Sequence, residues 1–429
     1  QNPHPVLIEM KTFRMRGHEE ASGTKYIPQE LFEEWKIKDP IARFNNYLTE
    51  MGILSEEQDA QLRKEIKEEI DTHWKITQDE AGLEANLETE LNDVYKPYEY
   101  QHFEASTETK NIRFIDAISE GLKQSFERHE NLIIMGQDIA EYGGAFKVTE
   151  GFVDAFGKDR VRNTPICESI IVSSAAGLSI NKYKSVVEMQ FADFVSTGFN
   201  PIVNLLAKQH YRWGEHADVV VRMPCGAGSG AGPFHSQTNE AWFTKTPGLK
   251  VVYPAFPADA KALLNTAIND PNPVIFFEHK NLYRSKSQEV PANYYTIPFG
   301  EASLIKEGND VTIISYGAGV HWALDTLGNN PNISADLIDL RTLQPLDYET
   351  IRKSVQKTNR VIILQEDSMF GGIASDLSAW IMENCFEYLD APVKRVASIE
   401  TPIPFMDNLE AQYLPKERFE KELLVLLQF

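Results

Sequence analysis

Between residues 111 and 429 short β-branched runs take turns with longer helical stretches, and within the runs apolar and polar residues do not alternate. Candidate strands fall at 132–135, 185–191, 218–223, 249–253 and 274–278, with helical periodicity at 113–129, 168–183, 197–213 and 257–270. A strand with one wet face shows a period of two, whereas one that is apolar throughout has to be covered on both faces. Helices lying between such strands supply the covers, so the pattern predicts an α/β fold with a parallel sheet. The stretch 285–308 contains Pro291 and Pro298, has no helical period, and reads as a connection between domains. A second unit of the same class follows, with strands at 310–316, 335–340, 360–365 and 393–399 and a final apolar helix at 418–427. The two units resemble each other only in class, and there is no repeat of the solenoid kind.

The texture upstream is different. The apolar run 5–10 reads as a strand that starts abruptly, as though a preceding domain were missing, and the sequence opens on Gln1 rather than Met. The charged stretch 55–74 reads as a helix, opening with Ser55-Glu56-Glu57-Gln58 in the pattern of a capping box. Its simplest role is that of a solvated surface helix. Residues 75–110 are acidic and polar, include Pro97, show no clear period, and are expected to form a linker.

A length of 429 residues implies two or three domains. The 42% hydrophobic content, with 16 Tyr, 23 Phe and 6 Trp, indicates a folded protein despite its polar surface. A net charge of -21 and the lack of any Lys/Arg cluster argue against nucleic acid as a partner. The charge suits solubility, or a basic protein partner. Cys167, Cys225 and Cys385 lie far apart with no Cys-x-x-Cys spacing, which fits a reducing compartment. Apolar runs such as 219–221 and 274–277 fall far short of the ~20 residues of a membrane span, and no signal-peptide pattern opens the chain. The expectation is a cytoplasmic protein with no membrane partner.

Two segments invite a chemical reading. Gly226, Gly228, Gly230 and Gly232 follow a strand, but Pro233, Phe234 and His235 come next instead of a helix start, so a backbone bend that approaches something closely explains them better than a phosphate cradle. In Thr164-Pro165-Ile166-Cys167-Glu168 a carboxylate heads an apolar helix rich in Ser, Ala and Gly. Taken alone, Glu168 would be a helix cap favoured by the dipole.

The company Glu168 keeps points further. Gln190-Phe191-Ala192-Asp193-Phe194, His235-Ser236-Gln237-Thr238-Asn239-Glu240-Ala241 and Thr246-Pro247-Gly248-Leu249-Lys250-Val251-Val252-Tyr253-Pro254 follow in order. So do Gly136-Gln137-Asp138-Ile139, Asp310-Val311-Thr312-Ile313-Ile314-Ser315-Tyr316-Gly317, Asp339-Leu340-Arg341-Thr342-Leu343, Pro345-Leu346-Asp347 and Thr401-Pro402-Ile403-Pro404. Together they resemble the beta subunit of pyruvate and branched-chain 2-oxoacid dehydrogenases over essentially all of 111–429. Thr12-Phe13-Arg14-Met15-Arg16-Gly17-His18, with Asp39-Pro40-Ile41, resembles the end of the alpha subunit, where an Arg-x-x-Gly-His loop borders the active site. The resemblance is therefore to a thiamine-diphosphate-dependent E1 component with alpha and beta fused. Glu19 stands where regulated relatives carry a phosphorylated Ser, which argues against phosphorylation control there.

The resemblance divides the chain into an alpha tail at 1–75 whose diphosphate-binding domain is missing, a linker at 76–110, a transketolase-like pyrimidine-binding domain at 111–290, a connection at 291–308 and a carboxyl-terminal transketolase-like α/β domain at 309–429. It implies that Glu168 bonds the cofactor's pyrimidine nitrogen, that Phe194 stacks on that ring, and that Ile166 and Gln190 line the same wall. It implies acid/base roles for His235 and His18 at the keto oxygen and the lipoyl dithiolane. Phe194 as an ordinary core aromatic and either His as a structural residue remain open. The implied partners are a lipoyl-bearing E2 acyltransferase, a 2-oxoacid and a second copy of the chain in a two-fold oligomer, with E2 docking on the carboxyl-terminal domain. The family's Gly-Asp-Gly motif ending in Asn, which holds the diphosphate and magnesium, is absent from the 429 residues. The expectation is that the chain alone does not bind thiamine diphosphate tightly or turn over. The Cys167-Glu168 context favours 2-oxoisovalerate over pyruvate. A transketolase or deoxyxylulose-phosphate synthase, and a non-catalytic scaffold that docks E2, remain as alternatives; the His18 loop argues against the first, Glu168 and His235 against the second.

Overall fold

The computed structural model describes residues 6–19 and 21–429, which fall into two compact units, Gln1–Ala85 and Asn86–Phe429. The first unit is helical: Gln29–Lys36, Pro40–Glu50 and Glu56–Asp79. Asp39 starts the second helix by accepting from the Ala42 amide at 2.9 Å, with Pro40 at the position where a missing N–H costs nothing. The third begins with the expected capping box: the Gln58 amide donates to Ser55 Oγ at 3.2 Å and the Ser55 amide to Gln58 Oε1 at 2.9 Å. It continues past the expected end to Asp79. Phe13 meets Phe32 edge-on at 5.3 Å and stacks on Trp35 at 5.9 Å, yet no described residue of this unit is buried. The expected strand at 5–10 is not formed over Val6 to Met10, and Pro5 lies outside the described residues. A strand exists only by pairing, and no described segment of this unit offers one; Leu7 is 98% exposed.

The second unit contains the predicted α/β architecture. Its strands are β1 (Thr109–Arg113), β2 (Leu132–Gly136), β3 (Val161–Asn163), β4 (Lys184–Glu188), β5 (Val219–Cys225), β6 (Lys250–Val252), β7 (Val274–His279), β8 (Ser287–Pro291), β9 (Ser303–Lys306), β10 (Val311–Ser315), β11 (Ala335–Asp339), β12 (Thr342–Gln344), β13 (Val361–Ser368) and β14 (Lys394–Ser398). A seven-stranded sheet runs β12-β6-β7-β5-β4-β2-β3, and a five-stranded sheet β14-β13-β10-β11-β9. Within each, all pairings are parallel except at one edge, where β12 runs against β6 and β9 against β11. The unalternated runs became interior strands: β2, β5 and β7 are buried at every position. Since β12 comes from the later part of the chain yet completes the earlier sheet, the two α/β layers are stitched together.

Two expected elements came out differently. The run 185–191 leaves the sheet after Glu188 and turns into a short 3₁₀ segment, Ala192–Phe194. The helix foreseen over 197–213 is three pieces, Val195–Asn200, a π turn at Pro201–Leu206 and Ala207–Trp213. Pro201 has no N–H to give and its ring crowds the preceding turn, so the wider turn absorbs the mismatch. Residues 94–106 run along this unit: the Lys96 amide donates to Asn272 Oδ1 at 2.7 Å and Tyr95 Oη to the Leu249 carbonyl at 3.1 Å. Among the described residues no helix is long and apolar enough to cross a membrane.

Candidate functional site

Parallel strands put all their carboxyl ends on one edge, and side chains just beyond those ends converge. Gln137 follows β2, the segment Gln190–Phe194 follows β4, the glycine loop and His235 follow β5, and Lys280 follows β7. Glu168 enters the same place from another direction, as the first residue of the helix Glu168–Ile180, where the helix dipole favours its carboxylate.

Glu168 is 7% exposed, and both of its oxygens are held. Gln137 Nε2 donates to Oε1 at 3.1 Å and Thr197 Oγ1 to Oε2 at 2.9 Å. A carboxylate has about four acceptor positions, so each oxygen keeps a lone pair for a further donor. Thr197 also lies 3.0 Å from the Phe194 carbonyl. The next layer is aromatic. Phe194 and Phe191 both present edges to His235, at 5.5 and 4.8 Å, and to each other at 5.7 Å. Lys280 Nζ lies 5.7 Å from the centre of the Phe191 ring and donates to the Gly226 carbonyl at 2.6 Å. Burial lowers the affinity of this amine for its proton, against the pull of Cys225 and Glu366. Asp193, between the two phenylalanines, accepts from the Gln237 amide at 3.3 Å, and burial pushes its carboxyl up. Beside Phe234 a cavity of about 480 Å³ is lined by Gln237, Asp367 and Glu400, among others. Burial, with Glu366 nearby, pushes Asp367 up to about 6.

Of the residues singled out in the sequence, Glu168, Phe194 and His235 therefore form one connected group. Gln190 is half-buried at the end of β4, while Ile166 is 84% exposed on the approach to Glu168. His18 belongs to the helical unit, is exposed, and has its Nε2 3.2 Å from Ser22 Oγ. Sequence reasoning gave no role to Gln137, Thr197 or Phe191, which touch Glu168 or His235. Position just past a buried parallel strand was the signal available for Gln137 and Phe191; for Thr197 there was none. Cys167, Cys225 and Cys385 are free thiols.

Three family descriptions match the chain in succession: "Dehydrogenase E1 component" over residues 1–86, "Transketolase, pyrimidine binding domain" over 110–286 and "Transketolase, C-terminal domain" over 300–418. The 2-oxoisovalerate dehydrogenase subunit beta of Bacillus subtilis is 40% identical over 326 residues, covering 74% of this chain and 99% of the relative. The pyruvate dehydrogenase E1 component subunit beta of Rickettsia felis is 41% identical over 306 residues, covering 70% and 94%. A solved split-gene transketolase, described as an inactive beta4 tetramer, shares the fold with a TM-score of 0.59 at 22% identity, covering 74% of this chain and 99% of its own.

Proposed function

The chain belongs to the thiamine-diphosphate-dependent E1 components of 2-oxoacid dehydrogenase complexes, in a form that joins alpha-type and beta-type sequence, and from that premise we propose that it serves the oxidative decarboxylation of 2-oxoisovalerate, in preference to pyruvate, and the transfer of the acyl group to a lipoyl arm of E2. The observation that carries the reading is the buried Glu168 carboxylate, fixed by Gln137 and Thr197 with lone pairs to spare, Thr197 also reaching the carbonyl of Phe194, whose ring meets His235.

These residues fit one end of the cofactor. An aminopyrimidine asks for a carboxylate at a ring nitrogen and an aromatic face beside it, and Glu168 and Phe194 are the matching donor set. Thiamine diphosphate, when bound, supplies the nucleophilic carbon and the electron sink that decarboxylation needs. Glu168 would hold the pyrimidine nitrogen and set its protonation, Phe194 would support the ring, and Gln190 and Ile166 would flank it. His235 and His18 move protons at the keto oxygen and the dithiolane sulfur. Phe191 and Phe194 would keep the His235 ring in place through their edge-on contacts. With no Gly-Asp-Gly run in the sequence, we assign this chain the pyrimidine end alone. The diphosphate and magnesium fall to residues outside it, and the isolated chain binds the cofactor weakly. The Cys167-Glu168 context supports the branched-chain preference.

Glu168→Ala in the assembled E1 tests the reading. The expected outcome is a loss of about 10²–10⁴-fold in decarboxylation rate with an unchanged melting curve. Wild-type activity in the variant would refute it. On wild-type enzyme, a kcat/KM for pyruvate above that for 2-oxoisovalerate would overturn the substrate assignment alone.

A further inference from the structure

Gly226, Gly228, Gly230 and Gly232 have φ values of 92, 95, 66 and 73°, all in the region that glycine enters freely. Such a loop turns its amides towards one centre, as in the backbone nests that bind anions. Here the anions are two carboxylates of the later α/β layer. The Ala227 amide donates to Glu366 Oε1 at 2.6 Å, the Gly228 amide to Glu410 Oε1 at 2.7 Å and the Gly230 amide to Glu410 Oε2 at 2.9 Å. Glu410 is 3% exposed and comes from the helix Asp407–Tyr413. Neighbouring side chains close in where the glycines leave room: a Cβ on Gly228 would stand 2.3 Å from Asn281 Nδ2, and one on Gly232 2.2 Å from the Phe405 ring, so either would have to move.

The loop runs directly into the catalytic segment. The His235 amide donates to the Gly232 carbonyl at 3.4 Å, Gln237 Nε2 to the Pro233 carbonyl at 3.0 Å, and the Gln237 amide to Asp193. His235 thus hangs between an anchor on β4's side of the site and one set by Glu410. We propose that Glu410 is a positioning residue, which from the carboxyl-terminal layer fixes the glycine loop and through it the imidazole of His235. The relevance of this to catalysis rests on the role given to His235 above.

Glutamine keeps the size of the side chain but offers one acceptor oxygen for two amides and turns its own N–H₂ on the other. Hydrogen exchange on the full chain is the test, with Glu410→Gln, and with Glu410→Ala in the presence and absence of acetate. The expected result is exchange about tenfold faster at amides 227–237 in both variants, with the rest of the chain unchanged. Acetate, which fits the space the alanine opens, should restore protection in Glu410→Ala. In the assembled E1, kcat for 2-oxoacid decarboxylation should drop ~10-fold or more while KM stays within about threefold, because positioning acts on the reacting geometry rather than on substrate binding. Faster exchange confined to 227–232, with 235–237 as in wild type, would overturn the proposal. So would faster exchange throughout the carboxyl-terminal layer in both variants without acetate rescue. If wild-type E1 decarboxylates nothing, the functional reading falls, while the exchange data still decide whether Glu410 holds the loop.

Discussion

At the scale of single residues, the informative side chains are the buried polar ones. Arg222 is fully buried, donates to both oxygens of Glu278 at 2.7 Å and to Glu188 at 2.6 Å, and so joins β4, β5 and β7 through charge as well as through the ladder. Asp339, at the end of β11, has no such partner. It accepts from the Arg341 amide at 3.1 Å, its Oδ2 is unpaired, and burial, with Asp259 adding to it, pushes its carboxyl up to about 8. An acid whose folded-state pKa lies above its unfolded value of about 3.9 holds its proton more tightly when folded. Its contribution to stability is then complete at low pH and is lost as pH rises from about 4 to about 8, by up to ~1.4 kcal/mol per unit. Asp339→Asn keeps the acceptor and puts a donor at the second position. Thermal melts should show the variant gaining on wild type steadily between pH 5 and pH 8; a gap that does not change with pH would refute the assignment.

At the scale of elements, close approaches govern what the chain tolerates. Gly248, with φ at 93°, passes so near the helix Ala207–Trp213 that a Cβ would stand 1.8 Å from the Ala207 carbonyl oxygen. Neither backbone can yield cheaply, and Gly248→Ala is expected to cost about 3 kcal/mol or more, read as a lower midpoint in urea. A loss below ~1 kcal/mol would mean that the helix shifts freely. The same helix shows what a sequence conceals. Its pattern over 197–213 was legible, but the π turn was not, because a proline at Pro201 permits a kink, a break or a wider turn equally, and packing selects among them. Short edge strands such as β3, β9 and β12 were missed because three or four residues carry too little periodicity.

At the scale of the whole molecule, the two units differ in what holds them. Asn86–Phe429 has large buried clusters on both faces of its sheets, whereas no described residue up to Ala85 is buried. The helical unit therefore draws its local order from caps and side-chain pairs worth ~0.5–1 kcal/mol each. Limited proteolysis of the chain should remove the helical unit first and leave a product close to Asn86–Phe429 that melts at the temperature of the main transition. Early cuts within the sheets, with the helical unit intact, would contradict this.

Unalternated apolar runs by themselves determined the two parallel-sheet layers, because a strand without a polar face has nowhere to go but between helices. Ordered motifs determined the family and singled out Glu168, Phe194 and His235. Only the tertiary structure brought in Gln137 and Thr197, which lie 31 and 29 residues from Glu168 in sequence and reach it because strand ends and helix starts meet at one edge. It also decided the use of the glycine loop. Four glycines specify freedom of φ, but whether the amides they turn inward hold a ligand or the chain's own Glu410, 180 residues from Gly230, depends on how the second layer packs on the first.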